Sequence, residues 1–168
     1  AGLAGQPAFI AFTSGTSGKP KAVLGSHPGT KHIFDWARKA FCIGPNDRAP
    51  LISGYAVDMM IREVFLPISS GATISLPDPG QELDPARILP WLEAEECTII
   101  HTVPSLVLAW LEAPPSGVTL DKLRYLLLTG ESLTNGLVER WHTAFPKAGG
   151  VINLYGTTET NFTKCFFR

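Results

Sequence analysis

The 168-residue chain is 45% apolar and 17% charged, a balance that excludes a disordered or fibrous protein and leaves material for one sizeable core. Lys and Arg number 14 against 15 Asp and Glu, so no net field gathers nucleic acid or an anionic membrane onto the surface. The cysteines Cys42, Cys97 and Cys165 are odd in number and far apart, which excludes a disulfide framework or zinc site and predicts a cytoplasmic location.

In chain order, Ala8–Phe12 is an apolar run closed by Thr-Ser-Gly and predicts a buried strand, followed by a loop over Thr13–Lys21. Ile33, Trp36, Ala37, Ala40 and Phe41 recur at helical spacing between Pro28-Gly29 and the turn Gly44-Pro45-Asn46-Asp47, which predicts an amphipathic helix. Short strands, apolar at most positions, are expected at Pro50–Ser53, Ala72–Leu76, Cys97–Thr102, Leu123–Leu128 and Val151–Leu154. Helical patterns cover Arg62–Ser69, Pro85–Glu95, Pro104–Ala113 and Asn135–Phe145. Buried strands alternating with helices specify an α/β fold, a parallel or mixed sheet flanked by helices. No apolar run nears the roughly 18 residues of a membrane span, and AGLAGQPAFIAF lacks a signal-peptide pattern, so a soluble protein is expected. The start beside a strand and the end at Cys165-Phe-Phe-Arg168, with apolar residues unspent, predict one piece of a larger domain.

Thr13-Ser-Gly-Thr-Ser-Gly-Lys-Pro-Lys21 holds four hydroxyls, two glycines and two lysines in nine residues. Glycines admit close approach of backbone N–H groups to phosphate, hydroxyls donate to its oxygens and lysine neutralises it. The spacing is not that of the common P-loop, since Gly15 and Gly18 have two residues between them and Pro20 follows Lys19. A triphosphate cradle and a flexible surface loop both fit this composition.

This segment resembles the phosphate-binding signature of the acyl- and aminoacyl-adenylate-forming superfamily. Asn153-Leu-Tyr-Gly-Thr-Thr-Glu-Thr160 is similar to that superfamily's second signature, and Leu128-Thr-Gly-Glu-Ser-Leu133 to its adenine-side turn, so the likeness runs through nearly the whole chain. The chain looks like the central part of the amino-acid adenylation domains of nonribosomal peptide synthetases, closest to α-aminoadipate reductases. The resemblance implies a partial adenylation domain over residues 1–168, a subdomain of the family's large N-terminal domain, with the family's C-terminal part absent. It implies ATP and Mg²⁺ as cofactors, and an amino acid or other small carboxylate as substrate. A carrier protein with a phosphopantetheine arm and the remainder of a parent synthetase would be its partners.

By the same resemblance, Thr13, Ser14, Gly15, Thr16, Ser17, Gly18 and Lys21 would hold the β- and γ-phosphates. Tyr155 would stack on adenine against Gly130, Glu131 and Ser132, with Asn153, Gly156 and Thr157 completing the nucleotide site. Thr157 stands where the motif usually has proline. Thr158 would bind the α-phosphate and Glu159 the Mg²⁺, and Thr158, Glu159 and Lys21 would carry catalysis. Asp58 falls on the position for the substrate's α-ammonium, while Met59, Arg62, His101, Leu127, Thr129, Leu154, Phe162 and Thr163 fall on pocket-lining positions. The reaction joins two anions, a carboxylate and the α-phosphate, so positioning and charge neutralisation suffice without a nucleophilic side chain. That fits the absence of a Ser-His-Asp or Cys-His pairing. Plainer readings stand beside these: Glu159 a surface acid, Tyr155 a core aromatic, His101 a core or pocket histidine, and Asp58 with Arg62 an ion pair on one helical turn. His27, His32 and His142 suggest only surface. An acyl- or aryl-CoA ligase core shares the motifs, and a non-catalytic nucleotide-binding module is the alternative from another class.

Overall fold

Segments apolar at every position can be buried on both faces of a sheet, and here they are. A computed structural model describes residues 6–14, 18–54, 58–160 and 162–168. Strands β1 (Pro7–Thr13) and β2 (Lys21–Ser26) form an antiparallel hairpin, in register from Thr13↔Lys21 to Phe9↔Gly25 and irregular beyond. Helix α1 (His27–Ala40) begins at Ser26, whose Oγ accepts from Gly29 N at 3.2 Å, with Pro28 in the first turn. Strand β3 (Arg48–Pro50), helix α2 (Met59–Ser70), strand β4 (Thr73–Ser75) and helix α3 (Pro85–Ala94) follow. Then come β5 (Ile99–Thr102), α4 (Pro104–Trp110), β6 (Tyr125–Leu128), α5 (Asn135–Ala144), β7 (Gly150–Thr157) and β8 (Phe162–Phe167).

Strands β5, β6 and β7 are parallel in the order β5-β6-β7, with β8 antiparallel on β7, while β3 and β4 form a parallel pair. Thr98 N donates to Arg48 O at 2.8 Å and ties the pair to β5. One apolar cluster, centred on Leu92, Ile100, Trp110, Leu126 and Trp141, packs α3, α4 and α5 onto one face of the sheet. A second, with Phe41, Leu66, Ile99, Leu127 and Ile152, packs α1 and α2 onto the other. The α/β sheet covered on both faces is as the alternating pattern predicts.

Four expectations change. Ala8–Phe12 is a strand but not a buried one: Ile10 and Phe12 are 60% and 66% exposed, because β1 is paired only in a two-stranded hairpin. The strand expected at Pro50–Ser53 ends at Pro50, since the Ile52 and Ser53 amides leave the ladder for the Glu63 carboxylate, at 3.2 and 2.9 Å. The helix expected over Pro104–Ala113 stops at Trp110. Strands β2 and β8 were not expected at all; each is defined by its antiparallel partner, β1 and β7, more than by its own apolar pattern.

Candidate functional site

At the carboxyl ends of the parallel strands the covering helices part. Strand β7 continues from Leu154 to Thr157 beyond its last pair with β6, Leu128↔Asn153, and Thr129 Oγ1 donates to Leu154 O at 2.9 Å to fix the overhang. Such strand ends are where open α/β sheets bind ligands. Two cavities open there, of about 550 and about 410 Å³, and Gly130, Glu131, Gly156 and Thr157 belong to the walls of both.

Tyr155, 63% exposed, and Asn153 line the larger cavity with the Gly130–Ser132 turn opposite, which leaves the phenol ring free to stack on a ligand. Gly130 has φ 84°, a left-handed conformation that suits glycine. The Glu131 side chain turns away to cap helix α4, accepting from Ser105 N at 2.9 Å and Ser105 Oγ at 2.8 Å, so it holds the turn in place. At Gly156 strand β8 comes so close to β7 that a Cβ there would collide with the Phe162 carbonyl.

On the hairpin side, Thr13 Oγ1 donates to Glu159 Oε1 at 3.5 Å and Lys21 Nζ lies 3.9 Å from the same oxygen. The structure thus brings the loop's first and last residues to the Glu159 carboxylate. Ser14 and Gly18 are exposed beside them, while Gly15, Thr16 and Ser17, expected in the same cradle, lie outside the described residues.

Asp58, Met59, Arg62, Thr129, Thr158, Glu159 and Phe162 line the smaller cavity. Asp58 Oδ2 accepts from Thr158 Oγ1 at 2.7 Å. Arg62 is buried, its guanidinium 5.5 Å from the Phe162 ring centroid and its NH1 nitrogen 3.2 Å from His101 Nε2. The expected alternative of an Asp58–Arg62 ion pair is not formed: among the described residues no carboxylate lies within ion-pair distance of Arg62. Burial pulls its pKa down to about 10, against the opposing pull of Asp58 and Glu63, so it stays cationic at neutral pH. Burial, and then the Arg62 charge, hold His101 well below its usual value and therefore neutral. Among the described residues, Arg62 Nε, His101 Nδ1 and Thr163 Oγ1 are buried without a hydrogen-bond partner. Leu127 and Leu154 are core residues behind this wall, and Thr163 is buried beyond Phe162.

Two features were not read from the sequence. Phe162 has φ 74°, a strained value for an aromatic residue, and stacks on Phe9 at 5.4 Å. Glu63 accepts from the Ser53 hydroxyl at 2.6 Å and from two amides, clasping residues 52–53 to α2. Its position one residue from Arg62, on an otherwise apolar helix, was the available signal.

The family description for AMP-binding enzymes matches residues 3–166. The chain belongs to the AMP-binding enzyme family. Among relatives, this AMP-binding chain is 32% identical over 158 residues to L-2-aminoadipate reductase of Saccharomyces cerevisiae, covering 94% of itself and 11% of that protein. It is 34% identical over 154 residues to tyrocidine synthase 3 of Brevibacillus parabrevis, covering 92% of itself and 2% of that protein. The chain therefore spans a small part of the length of the relatives it matches. In structure it resembles the Vibrio cholerae adenylation domain AlmE in complex with glycyl-adenosine-5'-phosphate, with TM-score 0.84, 27% identity, and 96% and 30% of the two chains covered. The nonribosomal peptide synthetase FmoA3 bound to AMPPNP gives TM-score 0.84 at 27% identity, covering 96% of this chain and 17% of that one.

Proposed function

We propose that this AMP-binding chain is the central part of a longer cytoplasmic synthetase that activates an α-amino acid with ATP, forming an aminoacyl-adenylate for a carrier-protein thiol. The α-ammonium sits on Asp58 and the adenine on Tyr155, and the two joined cavities bring the carboxylate to the α-phosphate beside Thr158. Lys21, Thr13 and the loop between them hold the departing pyrophosphate. A Mg²⁺ ion bound to nucleotide takes one or two protein carboxylates and otherwise phosphate and water oxygens. The exposed Glu159, which already faces Lys21 and Thr13, fits that need as a single carboxylate. When bound, the ion neutralises phosphate charge.

One observation carries the finer reading: Arg62 is a buried cation without a carboxylate partner among the described residues, facing the cavity that Asp58 lines. A buried charge needs an opposite charge, and here the substrate's side chain supplies it. The preferred amino acid therefore bears a side-chain carboxylate, as 2-aminoadipate and glutamate do. Two dependent charges, one at each end of the amino acid, also favour this over a CoA ligase for simple acids.

The test is amino-acid-dependent pyrophosphate exchange in the full-length protein and in Arg62→Gln, with 2-aminoadipate, glutamate, glutamine, leucine and phenylalanine. A charge-assisted contact of about 1.5–3 kcal/mol predicts an acidic preference of roughly 10- to 100-fold that collapses in the variant. A neutral substrate preferred in both would overturn the acidic reading, and no exchange with any amino acid would overturn the activity.

A further inference from the structure

We infer that Thr158 couples the binding of nucleotide and amino acid by offering one proton to two acceptors; the inference rests on the amino-acid reading above. A threonine hydroxyl has a single proton to donate. In this structure it goes to Asp58 Oδ2, at 2.7 Å. Asp58 stands at the N-terminus of α2 yet its side chain accepts no capping bond there, so its carboxylate is committed to Thr158 and to the cavity. Thr158 also opens the short 3₁₀ turn Thr158–Thr160, and the next residue, Glu159, meets Lys21 and Thr13. One turn thus touches both halves of the site, with adjacent side chains pointing to opposite partners.

Carboxylate and phosphate oxygens are both acceptors, so a nucleotide phosphate that accepts the Thr158 hydrogen bond accepts it in place of Asp58. The carboxylate then lacks a donor, and an ammonium with three N–H groups supplies one together with a compensating charge. In the other direction, an ammonium on Asp58 releases the Thr158 hydroxyl to rotate toward phosphate. Each ligand therefore removes a cost from the other, and the coupling is reciprocal. Thr158 acts as a positioning residue in this exchange: no covalent step is added, and the hydroxyl proton stays on Oγ1 throughout.

The experiment measures Mg-AMPPNP affinity of the full-length protein with and without a saturating amino acid, the one that exchanges fastest in the panel above. It is repeated with that acid's deaminated counterpart, and in Thr158→Val and Thr158→Ser. In the wild type the amino acid tightens Mg-AMPPNP by at least about fivefold, whereas the deaminated acid leaves it unchanged or weaker. Serine retains the coupling and valine brings it to about one, although both change the affinity for either ligand alone. A merely structural threonine would shift single-ligand affinities and leave their ratio intact. Equal coupling in wild type and Thr158→Val, or equal coupling with and without the ammonium, overturns the proposal. The second comparison needs only wild-type protein and stands even where the valine variant does not fold. Nucleotide binding without binding of any amino acid in the panel would instead overturn the reading on which the inference rests.

Discussion

The two ends of the parallel strands treat their charges in opposite ways. Where the strands begin, Arg124 donates to Asp47 Oδ1 at 2.5 Å and to the Phe41 carbonyl at 2.8 Å, and Asp47, 4% exposed, also accepts from the Thr98 hydroxyl at 2.7 Å and the Gly44 amide at 3.0 Å. Burial works against the Arg124 charge, but the hydrogen bond and charge of Asp47, joined by Tyr125, outweigh it and raise its pKa. Where the strands end, Arg62 is more deeply buried and, among the described residues, finds a neutral histidine in place of a carboxylate and keeps an unpaired Nε. The first network closes on itself and fixes strand register. The second is incomplete among the described residues, which is the pattern the proposed acidic substrate would complete.

The largest expected effect breaks the closed end. Asp47→Ala removes the acceptor for three donors and leaves Arg124 with backbone carbonyls alone, so it should cost about 3–5 kcal/mol. Amide exchange in β5, β6 and β7 of the full-length protein reports this loss as faster exchange across the sheet. A sheet as protected as the wild type would show that the Asp47 network does not hold the strands.

Much of this contrast could be read from the sequence, but unevenly. The core strands were legible because segments such as Ile99–Ile100 and Leu126–Leu128 are apolar at successive positions, a pattern that only two-sided burial explains. The Thr13–Lys21 and Tyr-Gly-Thr-Thr-Glu segments were legible as motifs, and the structure brings Thr13, Lys21 and Glu159 together from opposite ends of the chain. The hairpin partner β2 and the last strand β8 were not, because an antiparallel strand half open to solvent needs its partner to define it. Nor could the pairing of Arg62 be settled: Asp58 and Glu63 both lie within helical reach, and only the geometry shows Asp58 taken by Thr158 and Glu63 by Ser53.

A third charge sharpens the comparison through pH. Glu63 is 3% exposed, and its burial raises the carboxyl pKa to about 7, against the lowering pull of the Ser53 hydroxyl, the Ser53 and Ile52 amides and the Arg62 charge. Because the folded value lies above the unfolded value of 4.5, the folded state binds the proton more tightly. Its contribution to stability is therefore complete below about pH 4.5 and is lost as pH rises through about 7, by up to about 3 kcal/mol. Local amide exchange over residues 52–54 and α2, corrected for intrinsic rates, should show protection falling between about pH 4.5 and 7. Glu63→Gln should flatten that slope, and a slope unchanged by the substitution would assign the pH dependence to another group.

The smallest effect has the opposite sign and tests the open end directly. Arg62 carries a burial cost that the charges of Asp58 and Glu63 offset only in part, as its pKa near 10 records. A methionine of similar length would fill the space between Phe162 and His101 without a charge to desolvate or an Nε to satisfy. Replacing buried charges by apolar groups of like volume is often neutral or stabilising by about 1–4 kcal/mol, and the low end applies here because the Phe162 ring and His101 Nε2 already give Arg62 some support. Arg62→Met should therefore stabilise the protein by about 1 kcal/mol, read as a higher denaturation midpoint. The same change should abolish any preference for an acidic amino acid in pyrophosphate exchange. Stability and specificity would move in opposite directions at Arg62, whereas at Asp47 stability alone would be lost. A destabilised Arg62→Met protein would mean that the guanidinium is held by the fold after all, and the two ends of the sheet would then differ only in degree.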